Sequence, residues 1–555
     1  MKHMTWKTMF IAVFVFAAMA GSSAMLRAQQ PAPDLILTNG KIITVDDQFS
    51  IAQALAIRGD HFVAVGNNQY INRLAGPNTR RIDLGGKAVI PGLIDSHAHL
   101  MRAAETWAIE ARLDGVDTRK QALEVLRAKA RELGPGQWVY NLGGWSYDQF
   151  SDDRRPFTRG ELDQAVPNNP VYIQFTRCCG FLNSRGIEAT GLAGMTERWI
   201  ERDASGKPTG QVNEPGLAPT ANKIPRPPKE TFERNALALV RDLNQAGLTT
   251  AGISGCPAEA TEFFRGLQRK GELSFRFMCM VNVNAGATVE TVQKALPQIA
   301  RIKLYQGDNW IDNVVWGETM FQPLHDNMLS VRTDPRPDQL ALWRTLATEV
   351  AKARLPIHVH ATIEQSITSF LDQIEAINEE YPVRSLHWTL AHLDQITASD
   401  LDRMKRLGMY AAVRAIQPVM GAVFARVHGE RSKDMPPLRM IQDSGILWGF
   451  HTDTTEVNQY RPFTTLWFAV TGKMVGGMVV NRQPITREEA LIAYTRKNSF
   501  LVFRESDLGS IQPGKLADLV VMDRDYLTVP ADQIKDIKSV MTMVGGKVVY
   551  ESHSR

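Results

Sequence analysis

The residues best suited to chemistry are two histidines separated by one residue, His97 and His99. They follow the short apolar run 87–90 and a Pro-Gly break. In an extended segment alternate side chains share a face, so both imidazoles can reach one cation while Ala98 points away. Neutral imidazole is a common ligand for zinc and similar ions. The pair fits a polar loop equally well, so a metal site requires ligands from later in the chain.

Further candidate ligands follow strand-like apolar runs at later places. Counting the first pair, seven of the chain's twelve histidines lie at four such places. This clustering is typical of a site built at one end of a barrel, where each strand contributes a side chain at its carboxyl end. The later candidates are Lys303, His358, His360, His387, His392, His451 and Asp453.

The elements that must position these residues alternate between helix-like and strand-like segments. Such alternation predicts a parallel sheet with crossover helices, and over roughly 350 to 400 residues an α/β fold of the (β/α)8 TIM-like barrel type with insertions is the natural closure. A doubly wound open sheet is the alternative, although no glycine-rich nucleotide fingerprint follows the first strand. The predicted helices are 121–133, 229–245, 258–270, 338–353, 363–380 and 487–494. The predicted strands are 171–175, 275–283, 301–305, 356–359, 385–391, 409–413 and 446–450.

Short strands and turns bracket this alternating region at both chain ends. Neither end can bury its apolar face alone, which predicts one small β-sandwich domain built from both ends. Asn39-Gly40 is typical of a hairpin turn within the N-terminal part. The predicted domains are a signal peptide over 1–28, sandwich strands over 29–90, the barrel with insertions over 91–500 and further sandwich strands over 501–555.

The first 28 residues have the layout of a secretory signal peptide. Lys2 and Lys7 precede an apolar run over 9–20, and small residues follow. Cleavage after Ala24 and cleavage after Ala28 both fit, and an uncleaved membrane anchor is the alternative. We therefore expect a periplasmic or secreted protein with no stable membrane span after cleavage.

Charge and cysteine usage bound the partners. Removing 1–28 lowers the count of basic residues from 63 to 60 against 59 acidic ones, a net charge of about +1. That balance predicts no nucleic-acid or anionic-lipid partner. The four cysteines are Cys178, Cys179, Cys256 and Cys279, without a C-x-x-C pattern. A bridge between Cys256 and Cys279 and buried free thiols are both open.

Taken together, these motifs resemble the metal-dependent amidohydrolase superfamily, and within it the amidohydrolase-3 (YtcJ-like) branch. The resemblance covers nearly the whole mature chain. It implies that metal ligands follow five barrel strands, with Lys303 after the fourth. The motifs that carry the resemblance are 91–99, 202–210 with Glu214, 391–392, 417–418, 449–453 and 508–521. The implied ligands are His97, His99, Lys303, His360, His392 and Asp453.

The resemblance implies one or two divalent ions, with zinc expected first and manganese, iron or cobalt open. A carboxylated Lys303 would bridge two ions, because a carbamate supplies two hard oxygen donors. Asp453, Lys303 and His360 are the expected catalytic residues. In this scheme a metal-bound hydroxide attacks the substrate carbonyl, and Asp453 takes a proton and returns it to the leaving group.

The expected activity is hydrolysis of a C–N bond in a small molecule: an amide, N-formyl group, cyclic imide or carbamate. An esterase or isomerase on the same barrel is the alternative within enzymes, and a non-catalytic binding protein is the alternative outside them. A homodimer is left open.

Several further residues are candidates for substrate contact or packing. His358 shares a face with His360, whereas His387 lies five residues before His392 and is expected to be structural. His451, Trp145 and Cys178 are the candidate substrate contacts. The chain departs from the branch pattern at two places. These are the loop that follows Lys303, and position 178, where Cys178 stands. Three further tryptophans near strand ends favour an apolar substrate, namely Trp310, Trp316 and Trp448.

Overall fold

The computed structural model describes residues 31–552 except residue 284. The predicted signal peptide over 1–28 lies outside the described residues. Within the part of the chain that is described, no helix combines the length and apolarity needed to cross a membrane.

The first seven strands of the described residues belong to two sheets. One sheet has the order β5-β4-β1-β6, and the other contains β7, β2 and β3. The apolar side chains of both sheets meet in a shared core. The strands are β1 (Leu35–Thr38), β2 (Lys41–Ile43), β3 (Ile51–Ala52), β4 (Ala54–Arg58), β5 (His61–Gly66), β6 (Arg80–Asp83) and β7 (Ala88–Pro91).

The predicted hairpin at Asn39-Gly40 is wrong, because β1 and β2 lie in different sheets. Asn39 adopts a φ of 56°, in the left-handed region that asparagine tolerates. A Cβ atom on Gly40 would lie 2.4 Å from Leu84. The turn therefore carries the chain across the sandwich, and turn-forming residues alone do not say which strands pair.

The first barrel strand is followed by a long insertion with its own five-stranded sheet. The order of that sheet is β12-β13-β11-β10-β9, and it has a separate apolar core. The predicted strand 171–175 exists but belongs to this sheet, so its assignment to the barrel is wrong. The strands are β8 (Leu93–Ala98), β9 (Val139–Asn141), β10 (Val171–Phe175), β11 (Cys179–Leu182), β12 (Ile200–Arg202) and β13 (Pro208–Asn213).

Seven further strands join β8 in an eight-stranded parallel sheet. Side chains and backbone link its first and last strands: Ser96 Oγ donates to Phe450 O at 2.9 Å, and Asp453 N donates to His97 O at 3.2 Å. The predicted TIM-like barrel is therefore confirmed. The seven strands are β14 (Leu248–Ser254), β15 (Arg276–Val281), β16 (Ile311–Glu318), β17 (Ile357–Ala361), β18 (Thr389–His392), β19 (Tyr410–Arg414) and β20 (Trp448–His451).

The last strands return to the sandwich, as predicted. They extend the second sheet to the order β23-β22-β21-β7-β2-β3, in which β21 pairs with β7 from the other end of the chain. A buried bidentate ion pair between Arg276 and Asp518 ties this domain to the barrel. The strands are β21 (Leu519–Met522), β22 (Ser539–Val544) and β23 (Lys547–Glu551).

Helices cover the outside of the barrel and the insertion. Many begin at threonine caps; for example, the side chains of Thr397 and Thr486 each accept a hydrogen bond from the first helical turn. The α-helices are Asn68–Leu74, Leu100–Ala103, Arg119–Leu133, Arg159–Ala165, Ser184–Thr190, Leu217–Ala221, Phe232–Gln245, Ala258–Lys270, Val289–Ile299, Pro337–Lys352, Glu364–Asn378, Ala398–Leu407, Gln417–His428, Leu438–Asp443, Pro462–Thr471, Arg487–Tyr494 and Arg496–Leu501. The 3-10 helices are Tyr147–Gln149, Leu192–Gly194, Lys229–Thr231, Gln322–Leu324, Gly429–Asp434 and Ala531–Asp536.

The predicted fourth barrel strand over 301–305 is wrong. That segment is irregular, and Lys303 within it is exposed to solvent. The fourth strand is β16, which ends at Glu318. The helix Val289–Ile299 was not predicted, since it contains Pro297 and has three β-branched residues among its first four.

Candidate metal centre

Polar side chains from five barrel strands converge at the carboxyl end of the barrel. Histidines come from strands β8, β17 and β18, and carboxylates come from the end of β16 and from just after β20. Two sets of three donors each lie within 4.8 Å of one another: His97 with His99 and Asp453, and His97 with Glu318 and His392. His97 is common to both sets, so it marks the middle of the cluster.

The buried carboxylate of Asp95 holds the two barrel ends in register. It accepts hydrogen bonds from the backbone nitrogens of His97 (3.1 Å) and Thr452 (3.2 Å), and also from the Thr452 hydroxyl (2.5 Å). Burial raises the pKa of Asp95 to about 6, although these hydrogen bonds favour its charged form. This clamp fixes His97 and Asp453 relative to each other.

His97 is fully buried between two carboxylates. Its Nε2 lies 3.2 Å from Glu318 Oε2 and 3.5 Å from Asp453 Oδ1. Neither ring nitrogen makes a hydrogen bond to any residue that the structure describes. A buried imidazole is normally hydrogen-bonded, so this pair of nitrogens is suited to a ligand that the protein chain does not supply.

Glu318 contacts both sides of the cluster with its two oxygens. Oε1 lies 3.0 Å from His392 Nε2 and 3.3 Å from His360 Nδ1. Oε2 accepts a hydrogen bond from Ser254 at 3.0 Å and faces His97. A carboxylate in this position can bridge two cations, which is the role that the sequence analysis gave to Lys303.

Glycine at position 317 allows Glu318 to reach this position. Its φ is 150°, and a Cβ atom there would lie 2.0 Å from the carbonyl oxygen of His358 on the neighbouring strand. Any other residue would push β16 away from β17.

His360 lies at the edge of the cluster and is held by a second acid. Its Nε2 lies 2.8 Å from Asp326 Oδ1, and its ring stacks on His325 with centroids 3.6 Å apart. The Asp326 carboxylate also accepts the backbone N–H groups of Thr362 and Ile363 at 3.0 and 2.9 Å, so its orientation is fixed. Asp326 therefore sets the orientation of the His360 ring.

The site separates charged groups from neutral ones. Burial opposes charge on His97, yet Glu318 and Asp453 raise the pKa of its imidazole to about 10. Despite burial, the surrounding histidines hold the pKa of both carboxyl groups well below the usual range. Burial lowers the pKa of His392 to about 3, so that its imidazole is neutral and ready to act as a ligand.

A cavity of about 430 Å³ opens onto the cluster. Most of the residues that line it are polar, and five carboxylates outnumber three arginines. Protonated imidazoles or bound cations must balance that negative charge, which fits a divalent ion held by nitrogen and oxygen donors. The charged lining residues are Arg102, Arg177, Glu214, Glu318, Asp326, Arg414, Asp453 and Glu456.

The structure brings together His97, His99, His360, His392 and Asp453, and it leaves Lys303 outside. Lys303 precedes β16 and is exposed, so its expected place at the end of strand four is wrong. The carboxylate that ends that strand is Glu318.

The remaining candidate side chains lie around the cluster. His451 and His358 are buried beside His97, each with ring centroids 5.0 Å from it. His387 stacks on Phe500 and Phe503, as expected for a structural residue. Cys178 is half-buried in the turn between β10 and β11, next to Arg177 at the cavity wall.

The expected role of Trp145 as a wall of the pocket is wrong, because it is fully buried in the core of the inserted sheet. The expectation of an apolar substrate is also unsupported. Trp316 and Trp448 are fully buried, and Trp310 packs on Arg276. None of these tryptophans lines the described cavity.

The sequence analysis missed several charged residues of the site, among them Glu318, Asp326, Asp394 and Arg414. Two had a detectable pattern, since Glu318 ends an apolar strand and Arg414 directly follows the predicted strand 409–413. Asp326 comes from an irregular loop, where no periodicity points to a site.

Comparison with known proteins gives matches along nearly the whole chain. The model of the amidohydrolase family matches residues 80–550. N-substituted formamide deformylase of Arthrobacter pascens is 28% identical, over 93% of this chain and 98% of its own. Putative amidohydrolase YtcJ of Bacillus subtilis is 23% identical, over 92% and 98%. The crystal structure of an uncharacterized metal-dependent hydrolase from Pyrococcus horikoshii has a TM-score of 0.62 at 21% identity, covering 90% of this chain and 99% of that one, which supports the fold.

Proposed function

The chain belongs to the amidohydrolase family, and on that basis we propose that it is an exported metal-dependent hydrolase that cleaves the C–N bond of a small amide or N-formyl compound. The observation that carries this proposal is the buried His97: its ring nitrogens lack hydrogen-bond partners among the described residues, and its Nε2 faces two carboxylates. The deformylase of Arthrobacter pascens, by its name, acts on N-substituted formamides, which favours the same bond here.

The donor set fits one or two divalent ions. His97, His99 and Asp453 would hold one, and His392 with His360 would hold a second, with Glu318 between them. Imidazole and carboxylate donors without thiolates suit zinc first, and manganese, iron or cobalt next. When bound, such an ion supplies Lewis acidity and lowers the pKa of water towards about 7.

Asp453 is the residue placed to move protons. Its carboxylate is ionised, faces the cavity and lies 3.1 Å from His99 Nε2. It would accept a proton from the attacking water and return it to the leaving nitrogen, since one carboxylate can serve as base and then as acid.

The polar cavity selects a polar small molecule. Arg102 and Arg177 from two different elements lie at its wall beside Glu456, and Met328 and Val457 are its apolar members. Polar substrate groups beside the scissile bond would be hydrogen-bonded by this wall, so we expect the substrate to be a polar rather than an apolar amide.

A hydrolysis screen tests this function. Protein loaded with zinc or manganese is assayed on N-formyl amines, N-acyl amino acids, cyclic imides, carbamates and aryl esters. We expect turnover of amide or formyl members that disappears with a chelator and returns with metal. Turnover of esters alone would favour an esterase. No turnover of any compound tested would favour an isomerase or a binding protein.

Export is supported by the N-terminal sequence and by a disulfide. Cys256, in the loop after β14, is bonded to Cys279 on β15. Disulfides persist in oxidising compartments, and the 23-residue separation corresponds to about 3 kcal/mol of stabilisation of the folded chain.

Thiol counting tests this part of the proposal. Denatured, unreduced protein from the native host is expected to present two titratable thiols, Cys178 and Cys179, and four after reduction. Four thiols before reduction, or recovery of the protein only from the cytoplasm, would contradict export.

A homodimer stays a prediction.

A further inference from the structure

Arg414 ends strand β19 and lies behind the proposed proton-transfer residue. It is only 2% exposed. Its Nη1 donates to Asp453 Oδ2 at 3.2 Å, and its Nη2 donates to Asp394. Asp394 follows His392 by two residues and is itself fully buried. One guanidinium thus joins a carboxylate of the site to a second carboxylate behind it.

The two oxygens of Asp453 therefore have different partners. Oδ1 lies 3.1 Å from His99 Nε2 and 3.5 Å from His97 Nε2, on the side of the first histidine pair. Oδ2 accepts the hydrogen bond from Arg414 at 3.2 Å, and His392 Nδ1 lies farther from it, at 3.9 Å. A planar guanidinium restricts the rotation of a carboxylate more than a point charge does, because its donors lie in one plane.

Arg414 differs from a buried arginine with a structural role in the same protein. The Arg276 guanidinium donates two hydrogen bonds of 2.8 Å to the Asp518 carboxylate, and its face packs on the Trp310 ring. Arg414 divides its donors between two acids and lines the cavity, while its Nε and Asp394 Oδ1 have no partner within the described chain. A buried ion pair is weak evidence for stability, and this one leaves donors unused.

We infer that Arg414, oriented by Asp394, is a positioning residue that fixes the rotation of the Asp453 carboxylate, with Oδ1 directed towards His97 and His99. The inference rests on the proposed function, in which Asp453 transfers the proton. Arg414 acts through Asp453 in this account and makes no step of its own.

The experiment compares Arg414→Lys with Arg276→Lys, a matched change at a buried, ion-paired arginine at the opposite end of the barrel. Both proteins are loaded with Co²⁺, whose visible absorption reports ligand arrangement without any substrate. The values of kcat and KM are then measured with whichever amide the wild-type enzyme hydrolyses. Arg414→Ala is also assayed with added guanidinium, against an equal concentration of sodium chloride.

We expect Arg414→Lys to lower kcat by about 10- to 100-fold with KM within about threefold, and to change the cobalt spectrum. Guanidinium should restore part of the kcat of Arg414→Ala. Arg276→Lys should change neither the spectrum nor kcat.

An unchanged cobalt spectrum in Arg414→Lys would overturn the inference, as would a raised KM with unchanged kcat, which would make Arg414 a substrate-binding group. If the wild type hydrolyses nothing, the proposed function fails while the spectrum still decides the positioning role. Melting curves check folding, and Asp394→Asn is the second variant if Arg414→Lys does not fold; it should alter the spectrum in the same direction.

Discussion

Asp453→Asn is expected to lower kcat by about 10²- to 10⁴-fold, the range typical for loss of a general acid–base residue. Asparagine has nearly the same shape and can still accept a hydrogen bond from His99 with its amide oxygen. It cannot take a proton from water or return one to a leaving nitrogen. Steady-state kinetics on the best substrate of the screen measures the effect, with metal content determined on the same sample.

The matched control is Asp312→Asn. Asp312 is also a buried, ion-paired aspartate, which accepts a hydrogen bond from Arg504 at 2.8 Å. It lies on β16, six residues before Glu318, at the opposite end of the strand. This change should lower the melting temperature and leave kcat within about threefold, since most losses of a buried interaction affect stability alone. If Asp453→Asn retained kcat while keeping its metal, Asp453 would not be the proton-transfer residue.

Glu318→Gln is expected to weaken metal binding by more than about 100-fold and to abolish turnover, whereas Lys303→Ala should leave both unchanged. Glu318 contacts His97, His392 and His360 from the centre of the cluster. A neutral amide cannot supply the negative charge that a bridging ligand needs. Even substitutions of residues that only hydrogen-bond to metal ligands typically lower metal affinity or activity 10- to 100-fold. Isothermal titration calorimetry of the apoprotein with zinc measures the affinity.

This pair of variants separates the two positions proposed for strand four. Loss of metal in Lys303→Ala, with normal binding in Glu318→Gln, would restore the lysine assignment from the sequence and contradict the position of β16. Loss in both would indicate unfolding, which the melting curve of Lys303→Ala excludes or reveals.

Much of the fold and part of the site could be predicted from the sequence. The His-x-His pair, His360, His392 and Asp453 each follow an apolar strand, and periodicity locates such strands well. The sandwich built from both chain ends was predictable because each end has strands that cannot bury their apolar face alone.

The fourth strand was placed wrongly for a physical reason. The run 301–305 is short and apolar enough to resemble a strand, while β16 contains the polar pair Asp312 and Asn313. Asp312 is paired with Arg504, a contact that exists only in the folded chain, and the side chain of Asn313 is exposed to solvent. Once the strand is shifted, the ligand at its end changes from Lys303 to Glu318.

The buried arginine and its acids were missed for a related reason. Charged residues are rarely fully buried, so Arg414 and Asp394 are typical of surface positions when taken alone. They become site residues only because the barrel brings the ends of β18, β19 and β20 together. The sequence shows that Arg414 follows a predicted strand, but it does not show which acids the arginine pairs with.

The most direct test of the central claim is to locate the metal. Crystals of protein purified without chelator and measured above and below the zinc absorption edge should show an anomalous peak bounded by His97, His99, Asp453 and Glu318. A second peak beside His392 and His360 would indicate a dinuclear centre. No anomalous peak at this cluster after loading with zinc, manganese, iron and cobalt in turn would contradict the account of a metal-dependent hydrolase.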